Sequence, residues 1–77
     1  MQLKQQLVEE IEVLLRYNLE TTHEGLKVHN DARKELRDAT QRLFEKGLIS
    51  QSDGGYLTDL GHEAAEHTQS ALNLLRA

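Results

Sequence analysis

Apolar residues recur at helical spacing in three parts of the chain. Leu3, Leu7, Ile11, Leu14 and Leu15 fall on one stripe, and Val8 and Val13 widen it. The spacing predicts a first helix from about Gln2 to Tyr17, ending at Asn18. A second stripe, Ala32, Leu36, Ala39 and Leu43, predicts a helix over "ARKELRDATQRLFEKG". Asn30 or Asp31 is its expected cap, Lys46 suits the dipole of the last turn, and Gly47 suits C′. Leu60, Ala64, Ala65, Ala71, Leu72 and Leu75 predict a final helix from about Asp59 to Leu75, capped by Thr58. Between the last two helices, "LISQS" and "YLT" flank Asp53-Gly54-Gly55. Asp-Gly and Gly-Gly supply the positive φ of tight turns, which predicts a β-hairpin.

Residues 19–29, "LETTHEGLKVH", read two ways. Thr21 or Thr22 could cap a short helix with Glu24 following, although Gly25 would weaken it by about 1 kcal/mol. Alternatively "GLKVH" is extended and pairs with the hairpin. The order is therefore helix, a short element of either kind, helix, hairpin, helix. No repeat or low-complexity segment interrupts it.

A chain of 77 residues has room for one domain, and residues 1–77 are read as that domain. Its only aromatic residues are Tyr17, Phe44 and Tyr56, so the core is modest, and either marginal stability alone or support from a partner chain is expected. The absence of cysteine removes disulfides and thiolate metal sites and suits a reducing compartment. No apolar run approaches the ~20 residues that span a bilayer. Met1-Gln2-Leu3-Lys4 is followed by no signal-peptide core. The expected location is cytoplasmic, with no membrane partner. The net charge of −4 argues against nucleic acid, but the charge is uneven. Residues 26–48 hold six basic and four acidic groups, against two and five before them and one and four after. Any attraction for phosphate lies in that middle segment.

"QRLFEKGLI…DGGYLTDLGHEA" resembles the "RLxxxGLI–wing–YxLTxxG" run of many bacterial winged-helix transcriptional regulators. The matching residues are Arg42, Leu43, Gly47, Leu48, Ile49, Gly54, Gly55, Tyr56, Leu57, Thr58 and Gly61, within roughly residues 30–62. Through "EGLKVHNDA", "ATQRLFEKGLI" and "DGGYLTDLG" the chain also resembles a small gammaproteobacterial family of about this length. Its members are uncharacterised, and some carry the label of DNA-binding protein or regulator. These resemblances imply a mainly α fold with a small β-hairpin, winged helix-turn-helix-like, with DNA binding and transcription regulation as the expected role. They also imply a homodimer formed through the terminal helices.

A helix wheel at about 100° per residue asks whether the middle helix has a face for DNA. With Leu36 at zero, Ala32, Ala39 and Leu43 lie within about 60° and form the buried stripe. Arg33, Arg37, Asn30, Gln41 and Lys34 fall between about +60° and +160°, and Asp31, Glu35 and Asp38 fall on the other flank. Asn30, Arg33, Lys34, Arg37 and Gln41 are residue types that bond base edges or phosphates in a major groove, so they are the expected contacts to double-stranded DNA. The alternative is a solvated helix face whose charges keep the protein soluble. His29 beside Asn30 fits the start of a recognition helix, or simply a capped turn.

The hairpin tip, Ser50 to Gly55, has no cation and one anion, which weakens a minor-groove role. A few cations on one helix give a small electrostatic term, so DNA binding would lean on two copies. Leu72, Leu74 and Leu75 in "ALNLLRA" point in more than one direction and, with the first helix, offer a dimer surface; the alternative is that both helices pack on each other within one chain. A second function class competes with DNA binding: a protein–protein interaction module on the same fold.

Catalytic and metal sites find little support. "HEAAEH", His62 to His67, sets its histidines five apart, about 140° around a helix, where a HExxH site needs them four apart. His62 and Glu66 can pair, and His23 and His29 could join only from elsewhere in the chain. Ser50, Ser52 and Ser70 sit in no nucleophile elbow, and Gly54-Gly55 is no phosphate loop. No enzyme activity, no metal and no cofactor is expected.

Overall fold

The elements in chain order are α1 (Gln5–Leu14), β1 (Leu26–Lys27), α2 (Lys34–Glu45), β2 (Ile49–Gln51), β3 (Gly54–Leu57) and α3 (Asp59–Arg76). This computed structural model describes residues 2–21 and 24–77. The protein is mainly α, with a three-stranded antiparallel sheet of order β1-β3-β2.

α1 is shorter than its apolar stripe predicts. Lys4 occupies the N-cap position without a side-chain bond. Beyond Leu15 the chain tightens through i→i+3 bonds, Arg16 N to Val13 O and Tyr17 N to Leu14 O. This turn sends Tyr17 inward, where its hydroxyl donates to Gly55 O at 3.2 Å. Burial pushes the Tyr17 phenol up to about 12, so the donor keeps its proton at neutral pH.

Of the two readings of residues 19–29, the extended one is correct for Leu26 and Lys27. β1 pairs Leu26 with Gly55 and Lys27 with Gly54. No helix forms among the described residues of this stretch, and Thr22 and His23 lie outside the described residues. Val28 is buried, and its N–H donates to Asp53 O at 2.8 Å. Only then does the chain turn, with Ala32 N bonded to His29 O. α2 therefore starts at Lys34, and its N-cap is Arg33, without a side-chain bond. Neither Asn30 nor Asp31 caps it, because both lie within the turn that β1 pairing forces before the helix.

The hairpin also differs in detail. Its turn is Ser52-Asp53, one step earlier than the Asp53-Gly54-Gly55 expected. Positive φ falls after the turn, at Gly54 and Gly55 in β3. There the register slips between Ile49↔Leu57 and Gln51↔Gly54, a bulge opposite Ser50. Ser50 Oγ accepts the Tyr56 N–H at 2.8 Å, supplying the bond the bulge would leave open.

The residues of the "GLI…LTxxG" run act together on the scaffold. α2 ends in a Schellman arrangement: Leu48 N donates to Leu43 O and Gly47 N to Phe44 O, with Gly47 at φ +78. Thr58 caps α3, its Oγ1 accepting from Gly61 N at 3.0 Å and donating to Gly47 O at 2.6 Å. Thr58 N donates to Leu48 O. A Cβ on Gly61 would sit 1.8 Å from that same Leu48 oxygen, so only glycine lets α3 begin here. Behind this joint lies the core, with Val13, Leu14 and Tyr17 from the first helix and its turn, Leu36, Ala39 and Leu43 from α2, and Val28, Ile49 and Ala65 closing it.

Gly61→Ala should therefore destabilise the protein by more than about 3 kcal/mol, since the clash is with backbone. Gly47→Ala, strained in φ but in open space, should cost only about 1–2 kcal/mol. Urea denaturation of both variants checks the order; equal losses would show that α3 does not depend on this close approach.

Candidate nucleic-acid interface

α2 carries two sets of cations with different surroundings. On the side facing α1, Arg42 Nε donates to Glu10 Oε2 at 2.9 Å, and Lys46 Nζ contacts Glu10 Oε1. Arg42 also donates from its guanidinium to Gln6 O at 3.1 Å. Glu10 is buried. Burial pushes its carboxyl up, but the hydrogen bonds and charges of Lys46 and Arg42 outweigh this and hold it below its ordinary value. These two cations are thus tied into the α1–α2 joint. Glu10 was not among the residues singled out from the sequence. Its signal was its place, one acid within the buried run that includes Val13, Leu14 and Tyr17.

The other set is exposed. Arg33 lies 3.7 Å from Glu12, and Lys34 lies 3.5 Å from Asp38, with cation side chains 63% and 76% exposed. Exposed pairs of this kind contribute about 1 kcal/mol or less, so a phosphate can replace the carboxylate. Arg37 is exposed too, and its Nε donates to Ala32 O at 3.1 Å. That bond uses one of five guanidinium N–H groups.

Of the expected contacts, Asn30, Arg37 and Gln41 come together. They line a cleft of about 250 Å³ between α2 and the hairpin turn, with Val28, Thr40, Asp38, Ser52 and Asp53. Arg33 and Lys34 are not among the lining residues; both sit at the start of the helix. Asp38, assigned from the wheel to the opposite flank, lines the cleft as well. At about 200° it stands only ~40° from Lys34, and the hairpin closes over that edge. Thr40 is buried, and its hydroxyl donates to Leu36 O.

Elsewhere, His62 Nε2 lies 3.0 Å from Glu66 Oε1, the pair expected on α3. Among the described residues, no group of three or more His, Cys, Asp or Glu is placed to hold a metal ion; His23 lies outside them. Among the same residues no helix is long and apolar enough to cross a membrane.

A family model described as a family of unknown function (DUF5669) matches residues 1–76. The chain belongs to that family. No curated protein and no solved structure matches it. For this DUF5669 member, the arrangement of charge on α2 is thus the main guide to function.

The Glu10 site has a pH signature. With its folded pKa below the ordinary 4.5, the carboxylate contributes stability that is full above that value and lost as pH falls through the lowered pKa. Glu10→Gln should lose about 1–3 kcal/mol at neutral pH, with the gap to the native chain narrowing in acid. Urea midpoints of both proteins at neutral and acid pH measure this; a gap independent of pH would mean Glu10 is not ionised in the fold.

Proposed function

We propose that the protein binds double-stranded DNA as a small winged helix-turn-helix-like transcriptional regulator, using the exposed flank of α2. The observation that carries this reading is the division of cations on one helix. Arg42 and Lys46 are both bound to one buried acid, Glu10, whereas Arg33, Lys34 and Arg37 meet only exposed partners or a backbone oxygen. Asn30 and Gln41 lie beside Arg37 and add groups able to bond base edges. The order β1-α2-β2-β3 with sheet order β1-β3-β2 also sets this helix next to a hairpin, as a winged helix requires. β1 and the turn after it stand where a helix-turn-helix has its leading helix. Groove contact therefore relies on α2 alone, and the cations of one copy neutralise only a few phosphates.

A specific observation favours a second reading, a protein-interaction module. Asp38 and Asp53 share the cleft with Arg37, and the turn itself carries no cation. Mixed charge of this kind suits a polar protein partner better than a polyanion.

Fluorescence anisotropy with random duplex DNA, at low and then raised salt, separates the two. Under the DNA reading binding weakens steeply with salt, with a log–log slope near −3 per bound copy. Arg33→Ala with Arg37→Ala should lower affinity at least tenfold and reduce that slope by about 2, with an unchanged circular dichroism spectrum. No binding at low salt and high protein concentration would retire the regulator reading and leave the interaction module.

A further inference from the structure

The cleft between α2 and the hairpin turn holds a cation and an anion that do not pair. Arg37 reaches it from α2 and Asp53 from the turn. Arg37 Nε is bound to Ala32 O at 3.1 Å. That bond orients the guanidinium and, among the described residues, leaves both terminal nitrogens without a partner. Asp53 is half-buried, and among the same residues its carboxylate has no hydrogen bond or ion pair. Its backbone oxygen accepts the Val28 N–H, which holds the residue in place. The other acid of the cleft, Asp38, already pairs with Lys34 at 3.5 Å. The two uncommitted charges thus stand on facing walls, each held by a backbone contact, with open space between them.

We infer that this cleft binds a small polar α-amino acid in its zwitterionic form. The ligand carboxylate takes the terminal N–H groups of Arg37, and its ammonium donates to the Asp53 carboxylate. A simple anion satisfies Arg37 but is repelled by Asp53. A simple cation satisfies Asp53 but is repelled by Arg37. A molecule carrying both charges meets both walls.

Size and lining narrow the class further. The volume of about 250 Å³ lies below the roughly 300–1,000 Å³ of sites for drug-sized molecules, which suits a ligand of amino-acid size. Asn30, Gln41 and Ser52 line the cleft with side chains that, among the described residues, make no hydrogen bond. They offer donors and acceptors to a short polar side chain. Val28 and Thr40 are the buried lining residues, and the Thr40 hydroxyl already donates to Leu36 O. Val28 gives too little apolar surface for a large aliphatic side chain. Binding of the amino acid does not rest on the DNA reading. Its consequence does: Asn30, Arg37 and Gln41 are shared, so an occupied cleft would compete with DNA.

An amide NMR titration of the full chain with L-serine, L-asparagine and L-glutamine tests this. It is run without nucleic acid, so its failure and failure of the DNA reading are separate results. At least one of the three should shift the Ser52 and Asp53 amides and the Asn30 and Gln41 side-chain amides saturably, with a Kd of about 1 mM. The N-acetyl form of that amino acid lacks the ammonium, and its α-carboxamide lacks the carboxylate. Each should bind at least tenfold more weakly to the native chain. Asp53→Asn and Arg37→Gln should weaken binding of the parent amino acid at least tenfold as well, with an unchanged urea midpoint. No saturable shift through about 50 mM of all three would overturn the inference. So would native affinity for the N-acetyl or carboxamide form, or native affinity in Asp53→Asn.

Discussion

The fold hinges on a backbone contact at the carbonyl of Leu48. The end of α2, the sheet and the start of α3 all meet there. Gly47 turns the chain out of α2 with a positive φ, and Leu48 then gives its N–H back to the helix and its oxygen to Thr58. Thr58 bridges both sides, donating to Gly47 O and accepting from Gly61 N. Gly61 lets α3 approach until no Cβ would fit. In a domain with so few large core residues, such hydrogen-bonded joints carry a large share of the order that a bigger core would supply. This also accounts for the resemblance to winged-helix runs at Gly47, Thr58 and Gly61. These residues build the joint between helix and hairpin, and none of them needs a ligand.

Charge is distributed by the same economy of means. α1 and α2 are held by Glu10, a buried acid that two α2 cations hydrogen-bond and keep ionised. A buried carboxylate is tolerated only when paired in this way. The consequence for function is subtraction. Two of the basic groups of the middle segment are structural, and those left for a partner are Arg33, Lys34, Arg37 and the cation of β1, Lys27. Any attraction for a polyanion is therefore local, on an otherwise acidic molecule.

Much of the architecture was legible in the residues. Periodicity located three helices, Thr58 and Gly47 marked their boundaries, and the glycine pair announced a hairpin. These are signals that act within a turn or two of the chain, so they survive without knowledge of the fold. The candidate site was legible as a set of residue types on one flank of α2, and Asn30, Arg37 and Gln41 do share a cleft. That Asp38 and Asp53 share it too was hidden, because a helix wheel knows nothing of the hairpin that folds over its edge.

What remained was set by contacts distant along the chain. Leu26 and Lys27 are extended because Gly54 and Gly55 pair with them, and that pairing delays α2 until Lys34. α1 ends early because Tyr17 is drawn toward Gly55 O, 38 residues away. Glu10 is buried because Arg42, 32 residues on, comes to meet it. Local patterns establish which segments can be helices and where their caps fall, since those energies belong to neighbouring residues. Where each helix stops, and which of its charges stay free, follows from tertiary packing, since a hydrogen bond or ion pair across the fold outweighs the propensity of a single turn.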